Sequence, residues 1–459
     1  MVVAAFGLVM LLALRNALTI DGWLALAAGR EIVQHGLPVH DALTVWTHGR
    51  NWVDQQWLAQ FLLYRLWQVG GVKLALLVHA GLATAALAGA AAAARRHGAS
   101  ARTTTWVCLP VMAAYYPEAG VLRPQTFAYP LFVGVFGLLA GDARARSTRV
   151  FLVLPLLVLW ANLHGSVIFG AALVCLAGCL RSIESARRGD KAGLTSSLLL
   201  ALAAPACVFA SPYAAHLSSY YHAILVGGNL SHFVTEWAPT TLSATTAPVY
   251  LLILGGVWLL GRAGSKSTQF ELLAFLAAAL LAIDAVRNTA WLGLTALVVL
   301  PILIDSLRRP VDEPRRVNRL LATVVLAGLA VGVLGIGAKP SGWFMSNFPT
   351  EPADAAAQAA GSGNVLATSR YADWLLFTEP QLRGRVEFDA RYELLSHEQV
   401  GDLARLQSAT GSWMRTIRDD RVVVLDRNDD STLRTALIDS GGFRTIATQG
   451  TVVVLARTR

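Results

Sequence analysis

The sequence predicts an all-α membrane protein with about eleven transmembrane helices, followed by a small α/β domain at the C-terminus. Hydrophobic residues make up 55% of the 459 residues, charged residues make up 15%, and the mean hydropathy is +0.51. Soluble domains typically contain about 25% charged residues. The apolar residues are concentrated in blocks close to the roughly 20 residues that a helix needs to cross a bilayer. These two observations predict the membrane class.

Eleven apolar blocks are expected to form the spans. They cover approximately residues 2–20, 72–94, 103–117, 125–142, 149–163, 165–181, 194–211, 247–262, 268–284, 289–306 and 320–337. Basic residues cluster in alternate connectors, which are 95–102, 144–149, 181–191, 262–266 and 308–319. Because basic loops stay on the cytoplasmic side, we expect a multi-pass protein of the inner or plasma membrane with a cytoplasmic N-terminus. This distribution explains the formal charge of +9 without a nucleic-acid partner.

A change in composition near residue 340 predicts a domain boundary. Residues 1–339 are expected to form the transmembrane domain, and residues 340–459 an extracytoplasmic domain with many more charges. The hydrophobic pattern predicts strands at 365–367, 386–388, 422–425 and 452–455, and helices at 352–360, 398–409 and 431–440. Such alternation of short strands and helices is typical of a small α/β layer structure.

The first outer loop, residues 21–71, opens with a predicted helix. At 100° per residue, one side of this helix is polar and the other apolar, and Gly36 ends it. The polar side holds Arg30, Glu31, Gln34 and His35, and the apolar side holds Ala25, Leu26, Ile32 and Val33. An amphipathic segment of this kind is expected to lie along the membrane surface.

Asp21 is the first candidate for chemistry, because it lies where the first span leaves the bilayer. A partly desolvated carboxylate is more basic than one in water and suits a general base. Aspartate is also a preferred N-cap residue, so Asp21 can equally cap the helix that follows.

The rest of the first loop interleaves polar and aromatic side chains. Its candidate site residues are Arg30, His40, Asp41, Arg50, Trp52 and Trp57. Residues of these types can bind a sugar or a phosphate, and they can equally build a folded cap at the membrane interface.

Four further candidates lie near predicted outer ends of spans. Arg123 and Arg287 can hold a lipid phosphate through paired hydrogen bonds, although Arg287 can equally pair with Asp284 on its own helix. His164 lies in an outward turn between two spans. Glu236 lies in the second long outer connector, which has no lysine or arginine between residues 211 and 248.

Taken in order, these residues resemble the GT-C superfamily of membrane glycosyltransferases, which includes protein O-mannosyltransferases and lipid A aminoarabinose transferases. The chain is most similar to a poorly characterised multi-pass bacterial branch. The matching positions are Asp21, Trp23, Gly29, Arg30, Gly36, Pro38, Asp41, Gly49, Arg50, Trp52, Gln56, Trp57, Leu58, Arg123, Pro124, 160–165, Pro212, Tyr213, Glu236, Trp237, Arg287, Asn288, 371–375 and 388–392.

The resemblance implies an inverting transfer of a sugar from a polyprenyl-phosphate donor at the outer face of the membrane. Asp21 matches the aspartate that activates the acceptor hydroxyl, and Asp41 is a second candidate in the same loop. Arg123 and Arg287 would then hold the phosphate. The acceptor would be a glycan, lipid or protein of the cell envelope, and a divalent metal ion is a cofactor that the resemblance leaves open.

Two other functions fit the same sequence. One is a flippase for lipid-linked glycans, which would need polar residues along a path through the bilayer, whereas most positions within the apolar blocks are Ala, Leu and Val. The other is a non-catalytic protein that binds lipid-linked glycan and assembles with other envelope proteins.

Overall fold

A computed structural model describes residues 1–226, 235–308 and 315–458. Residues 309–314 of the fifth basic connector, predicted at 308–319, therefore lie outside the described residues. The chain forms two compact units. Met1–Leu14 and Ala75–Ala338 form one of them, called here the helical unit, and Arg15–Leu74 with Lys339–Arg459 form the other, called the mixed unit.

The helical unit consists of apolar helices. They are α1 (Val2–Ala13), the second part of α3 (Trp57–Arg96), α4 (Ala101–Ala119), α5 (Ala128–Arg144), α6 (Val153–Leu163), α7 (Val167–Arg187), α8 (Lys191–Val208), α9 (Ala214–Val226), α10 (Ala247–Ala263), α11 (Gln269–Asp284), α12 (Thr289–Ser306) and α13 (Arg315–Ala338). Helix α12 lies at the centre of this unit, and its residues from Thr289 to Pro301 are all buried. A helix that is apolar on every side is typical of a protein core or of a membrane span.

The protein is a multi-pass membrane protein, but the predicted number of spans is not confirmed. Ten of the eleven predicted blocks lie mainly on one helix, but the predicted first span at 2–20 is broken, because α1 ends at Ala13 and α2 begins at Ile20. Within the described residues, six helices are long and apolar enough to cross a membrane, or seven if the bent pair Val2–Asn16 and Ile20–His35 forms one span. Thr148–Leu163 and Thr323–Ala338 are apolar but shorter.

The mixed unit combines the first loop with the C-terminal segment. Its helices are α2 (Ile20–His35), the start of α3, α14 (Ser341–Phe344), α15 (Thr350–Ala360), α16 (Ser369–Thr378), α17 (His397–Ser408), α18 (Trp413–Thr416) and α19 (Ser431–Asp439). Its strands are β1 (Asn364–Ala367), β2 (Asp420–Asp426), β3 (Phe443–Gln449) and β4 (Val452–Arg457), in the order β1-β2-β4-β3. β1 is parallel to β2, and the other pairs are antiparallel.

The first loop is bound to the C-terminal segment through backbone hydrogen bonds. Val386 forms parallel bridges with both Val365 and Thr44. The amide of Val45 donates to the Val386 carbonyl at 2.9 Å, and that of Trp46 donates to the Glu387 carbonyl at 2.9 Å. Residues 15–74 therefore fold together with the C-terminal segment. The domain boundary expected between residues 339 and 340 stays a prediction.

The polar side of α2 makes specific contacts within the mixed unit. Arg30 donates to the carbonyl oxygens of Phe377 at 2.7 Å and Leu376 at 2.5 Å, which are at the C-terminal end of α16. Glu31 accepts hydrogen bonds from Arg383 at 2.5 and 2.9 Å. Because Arg30 and Glu31 are both buried, this side of the helix serves folding of the unit rather than contact with water.

Close packing of α2 on α3 requires a glycine at position 29. A Cβ atom placed there would lie 2.3 Å from the backbone oxygen of Gln60 and 2.7 Å from the Cβ of Tyr64.

We expect Gly29→Ala to lower the free energy of unfolding by about 1–3 kcal/mol, seen as a lower melting temperature in detergent. Gly81→Ala is the matched control, because a Cβ at Gly81 has no atom within 4 Å. Equal melting temperatures for both variants would contradict this packing.

Candidate functional site

A buried ion-pair cluster in the helical unit is centred on Arg123, which follows α4 at the start of the turn leading to α5. Its guanidinium donates to Glu236 at 2.5 and 3.1 Å and to Glu118 at 3.0 Å. Arg123 and Glu118 are both buried, and Glu236 is half-buried. Two carboxylates therefore neutralise the charge of Arg123.

Arg287 lies near this cluster and has different contacts. Its guanidinium carbon is 4.2 Å from the ring centroid of Trp237, a cation–π contact. Two backbone hydrogen bonds hold this region together, from Val286 to the Ala238 carbonyl at 3.1 Å and from Thr240 to the Ile283 carbonyl at 3.0 Å. Among the described residues Arg287 forms no ion pair, so the predicted alternative of a pair with Asp284 is not observed.

His164 completes the group in the helical unit. It is buried at the end of α6, and its Nδ1 is 2.8 Å from the Ser166 hydroxyl. Arg123 and Arg287 are both close enough to act on it electrostatically. The structure therefore brings together four of the predicted site residues, Arg123, His164, Glu236 and Arg287, although they lie far apart in the sequence. Of these, Arg287 is the cation best able to take an additional anion.

A second charged network, centred on Arg391, lies in the mixed unit. Its Nη2 donates to Asp41 at 2.7 Å and to Asp389 at 2.6 Å, and its Nε donates to Asp389 at 2.8 Å. The guanidinium carbon also lies 4.2 Å from the ring centroid of Trp52. All four side chains are buried. This network joins the first loop to the segment that follows Val386.

The carboxylate of Asp41 is fully occupied by donors within the mixed unit. Besides Arg391, it accepts hydrogen bonds from the Leu43 amide at 3.0 Å and from the hydroxyls of Thr44 at 2.7 Å and Thr47 at 2.6 Å. Although burial raises it, these donors, with Arg391 first, hold the pKa of Asp41 below its ordinary value. Asp41 is 1% exposed, so this geometry favours a role in folding of the loop.

Asp21 lies in the first turn of α2 and is half-buried. The N-cap of this helix is Thr19, so the alternative in which Asp21 is the N-cap is not observed. Its charge acts on two residues of the C-terminal segment, Asp373 and Tyr392. Asp21 is thus the predicted aspartate that remains partly accessible.

The other predicted residues of the first loop are spread over the mixed unit. His40 is exposed and forms a backbone bridge with Asn51. Arg50 donates to the Leu394 carbonyl at 2.6 Å. Trp57 is half-buried at the start of α3. Arg30 and Trp52 are buried. With the contacts above, their burial shows that the first loop is folded onto the C-terminal segment.

Comparisons with known proteins support the fold. No family model matches the sequence, and no curated protein matches it. ArnT from Cupriavidus metallidurans bound to undecaprenyl phosphate superposes with a TM-score of 0.55 at 13% identity, covering 99% of this chain and 97% of ArnT. The oligosaccharyltransferase AglB from Archaeoglobus fulgidus, in complex with an inhibitory peptide and a dolichol-phosphate, superposes with a TM-score of 0.54 at 11% identity, covering 100% of this chain and 74% of AglB.

The chain has the fold of the GT-C glycosyltransferases. The resemblance predicted from the dispersed residues is therefore confirmed at the level of fold. The superposition extends over nearly the full chain.

Within the part of the chain that the structure describes, no group of three or more His, Cys, Asp or Glu side chains is arranged to hold a metal ion.

Sequence reasoning missed Glu118 as a partner of Arg123. Its position five residues before Arg123, at the end of an apolar helix, was the available signal.

Proposed function

We propose that this protein transfers a sugar from a polyprenyl-phosphate donor to a hydroxyl group of a cell-envelope glycan, lipid or protein. The reaction takes place at the outer face of the membrane, with the N-terminus cytoplasmic and the mixed unit outside. The GT-C fold over nearly the whole chain carries the proposal. The polyprenyl phosphates named with the two similar structures, undecaprenyl and dolichol phosphate, give the class of donor lipid.

Asp21 is the general base in this proposal. Its carboxylate takes the proton from the acceptor hydroxyl, and the acceptor oxygen attacks the anomeric carbon of the sugar. The bond between that carbon and the phosphate oxygen breaks on the opposite face, so the configuration inverts and polyprenyl phosphate leaves. Asp21 supports this role because it is half-buried in the first turn of a helix and is only partly enclosed.

Arg287 is the main phosphate ligand. The leaving phosphate gains negative charge as the bond breaks, and a positioned cation stabilises that charge. Arg287 is half-buried on Trp237 and has no carboxylate partner within the described residues. Arg123 carries two such partners, so its part is to hold Glu236 and Trp237 beside Arg287.

Asp41, Arg30, Arg50 and Trp52 support the site by folding the first loop, through the buried contacts described above. His40 and Trp57 remain candidates for contact with substrate, because they are exposed and half-buried, respectively. His164 and Glu236 would lie beside the phosphate that Arg287 holds.

Replacement of Arg287 tests the phosphate site. A charge-assisted hydrogen bond contributes about 1.5–3 kcal/mol, so Arg287→Ala is expected to weaken donor binding roughly 10- to 150-fold in proteoliposomes supplied with labelled polyprenyl-phosphate sugars. Arg287→Lys should lose less, because it keeps a point charge.

Arg262→Ala is the matched control for this test, because Arg262 is exposed at the end of α10. Arg123→Ala should instead lower the melting temperature, since it leaves Glu118 and Glu236 without their cation. Unchanged donor affinity in Arg287→Ala would remove Arg287 from the site. Tight donor binding without any transfer by the wild type would favour the non-catalytic function.

A further inference from the structure

A chain of hydrogen bonds in the turn between α6 and α7 holds the ring of His164. The backbone amide of Ser166 donates to Nδ1 of His164 at 3.1 Å, and the Ser166 hydroxyl lies 2.8 Å from the same nitrogen. The indole N–H of Trp160 donates to that hydroxyl at 3.1 Å. All three residues belong to the helical unit. The proposed mechanism gives Ser166 and Trp160 no role.

These bonds determine where His164 carries its proton. A backbone amide can only donate, so Nδ1 is the accepting, unprotonated nitrogen of the ring. An imidazolium is excluded for the same reason, because it carries a proton on both nitrogens. The indole N–H of Trp160 also only donates, so the Ser166 oxygen accepts from Trp160 and the Ser166 O–H points to Nδ1. His164 is therefore neutral, with its proton on Nε2.

Packing fixes the position of Trp160. Its side chain is buried, and a Cβ atom placed on Gly170 of α7 would lie 2.5 Å from the Trp160 ring. On another side, the Trp160 ring centroid lies 5.8 Å from that of Trp291. Trp291 is buried in the first turn of α12, four residues after Arg287. Trp160 thus links the turn that holds His164 to the start of the helix that follows Arg287.

The Nε2 atom of His164 is the ring nitrogen that remains for a ligand. Among the described residues no group accepts a hydrogen bond from it, and the residue is 8% exposed. Arg287 is close enough to act on His164 electrostatically, and it has no carboxylate partner within the described residues. A hydrogen-bond donor beside such a cation suits an ionised acceptor, to which hydrogen bonds are stronger than to a neutral one.

We propose that Ser166 and Trp160 are positioning residues that keep His164 neutral, so that its Nε2–H donates a hydrogen bond to a phosphate oxygen of the lipid-linked donor. This inference rests on the proposed function, in which Arg287 binds the same phosphate. The neutral ring supplies a directed hydrogen bond without placing a third positive charge beside Arg123 and Arg287. His164 keeps its proton throughout, so no proton transfer passes through it.

Nitrogen NMR of protein labelled with isotope-enriched histidine tests the protonation of His164 and needs no turnover. The His164 signals are identified by their loss in His164→Gln. At neutral pH we expect one signal from a protonated nitrogen, assigned to Nε2 by its coupling to both ring C–H protons, and one from an unprotonated nitrogen, Nδ1. A proton on Nδ1, alone or together with one on Nε2, would overturn the proposal even in an active transferase.

Binding of undecaprenyl phosphate tests the contact with the phosphate. His164→Leu removes the donor and should weaken binding roughly 10- to 150-fold, whereas His164→Gln keeps an N–H near the position of Nε2 and should lose much less. Undecaprenol, which lacks the phosphate, should bind His164→Leu and the wild type equally. His216→Leu is the matched control, because His216 is exposed on α9.

The same measurement separates the contact with the phosphate from packing and from the proposed function. Unchanged binding of undecaprenyl phosphate to His164→Leu would overturn the proposal. Equal losses for both lipids would also overturn it, because His164 would then act through packing. If these binding results hold and the wild type transfers no sugar from any donor, the proposed function fails while the role of His164 stands.

The two positioning residues are tested by rescue and by a double variant. Ser166→Ala should weaken binding of undecaprenyl phosphate about 2- to 10-fold, because the amide alone then holds Nδ1, and Ser166→Thr should bind as the wild type does. Trp160→Phe keeps a ring and removes the indole N–H. Its loss should not add to that of Ser166→Ala, since both act through one chain of hydrogen bonds. Additive losses, or equal losses in Ser166→Thr and Ser166→Ala, would overturn these roles.

Discussion

Asp21→Asn is expected to reduce sugar transfer about 10²- to 10⁴-fold, the usual contribution of a general base. The amide has nearly the same shape as the carboxylate but cannot accept the proton of the acceptor hydroxyl. Donor binding should change little, because Asp21 does not contact the phosphate in the proposed mechanism. The measurement is the initial rate of label transfer in proteoliposomes, with donor binding measured in the same preparation.

Asp439→Asn is the matched control for Asp21, because Asp439 is an exposed aspartate at the end of α19. It should retain full activity. Full activity in Asp21→Asn would assign the base to another residue. A loss of activity together with a lower melting temperature would mean that Asp21 acts through folding.

Arg391→Met is expected to destabilise the mixed unit by about 3–5 kcal/mol. The substitution removes the cation between Asp41 and Asp389 and leaves two carboxylates buried without it. It also removes the cation over Trp52. The first loop should then separate from the C-terminal segment, and this is measured as a lower melting temperature in detergent and faster proteolysis within residues 36–56.

Arg444→Met is the control for Arg391, since Arg444 is exposed on the edge strand β3. It should melt as the wild type does. If Arg391→Met also melts as the wild type, the two carboxylates are stable without the arginine, and the network does not hold the loop in place.

The membrane helices were the most predictable part of the fold. A helix in lipid satisfies its own backbone groups, so its sequence needs only a long apolar block. Every predicted block except the first, 2–20, lies mainly on one helix, whereas the number that cross the membrane depends on length and packing. Thr148–Leu163 illustrates this, because it is apolar but short, and the block alone does not fix its depth in the bilayer.

The missed elements of the mixed unit have weaker local signals. β3 is an edge strand whose residues from Arg444 to Gln449 are mostly exposed, so it lacks the apolar run of β2 and β4. Gly441, Gly442 and Gly450 at its ends were the available turn signals. The predicted strand at 386–388 forms only isolated bridges, because its partners include a segment of the first loop about 340 residues away.

The residue types of the candidate site were predictable, but their partners were not. A charged residue at the end of an apolar block is identifiable from the sequence, as Asp21, Arg123 and Arg287 were. The pairing of Arg123 with Glu236 spans 113 positions, and that of Arg391 with Asp41 spans 350. Such pairings are set by tertiary packing, and they decide which cation is neutralised and which aspartate remains partly accessible.

The most direct test of the central claim is donor consumption by the purified protein in proteoliposomes. A panel of polyprenyl-phosphate sugars would be supplied with an envelope extract as the source of acceptor, and free polyprenyl phosphate and glycosylated product would be quantified together by mass spectrometry. We predict that one donor releases polyprenyl phosphate in equal amount to the new product, and that neither appears with Asp21→Asn. Donors that bind the wild-type protein and are never consumed would contradict the assignment of a transferase.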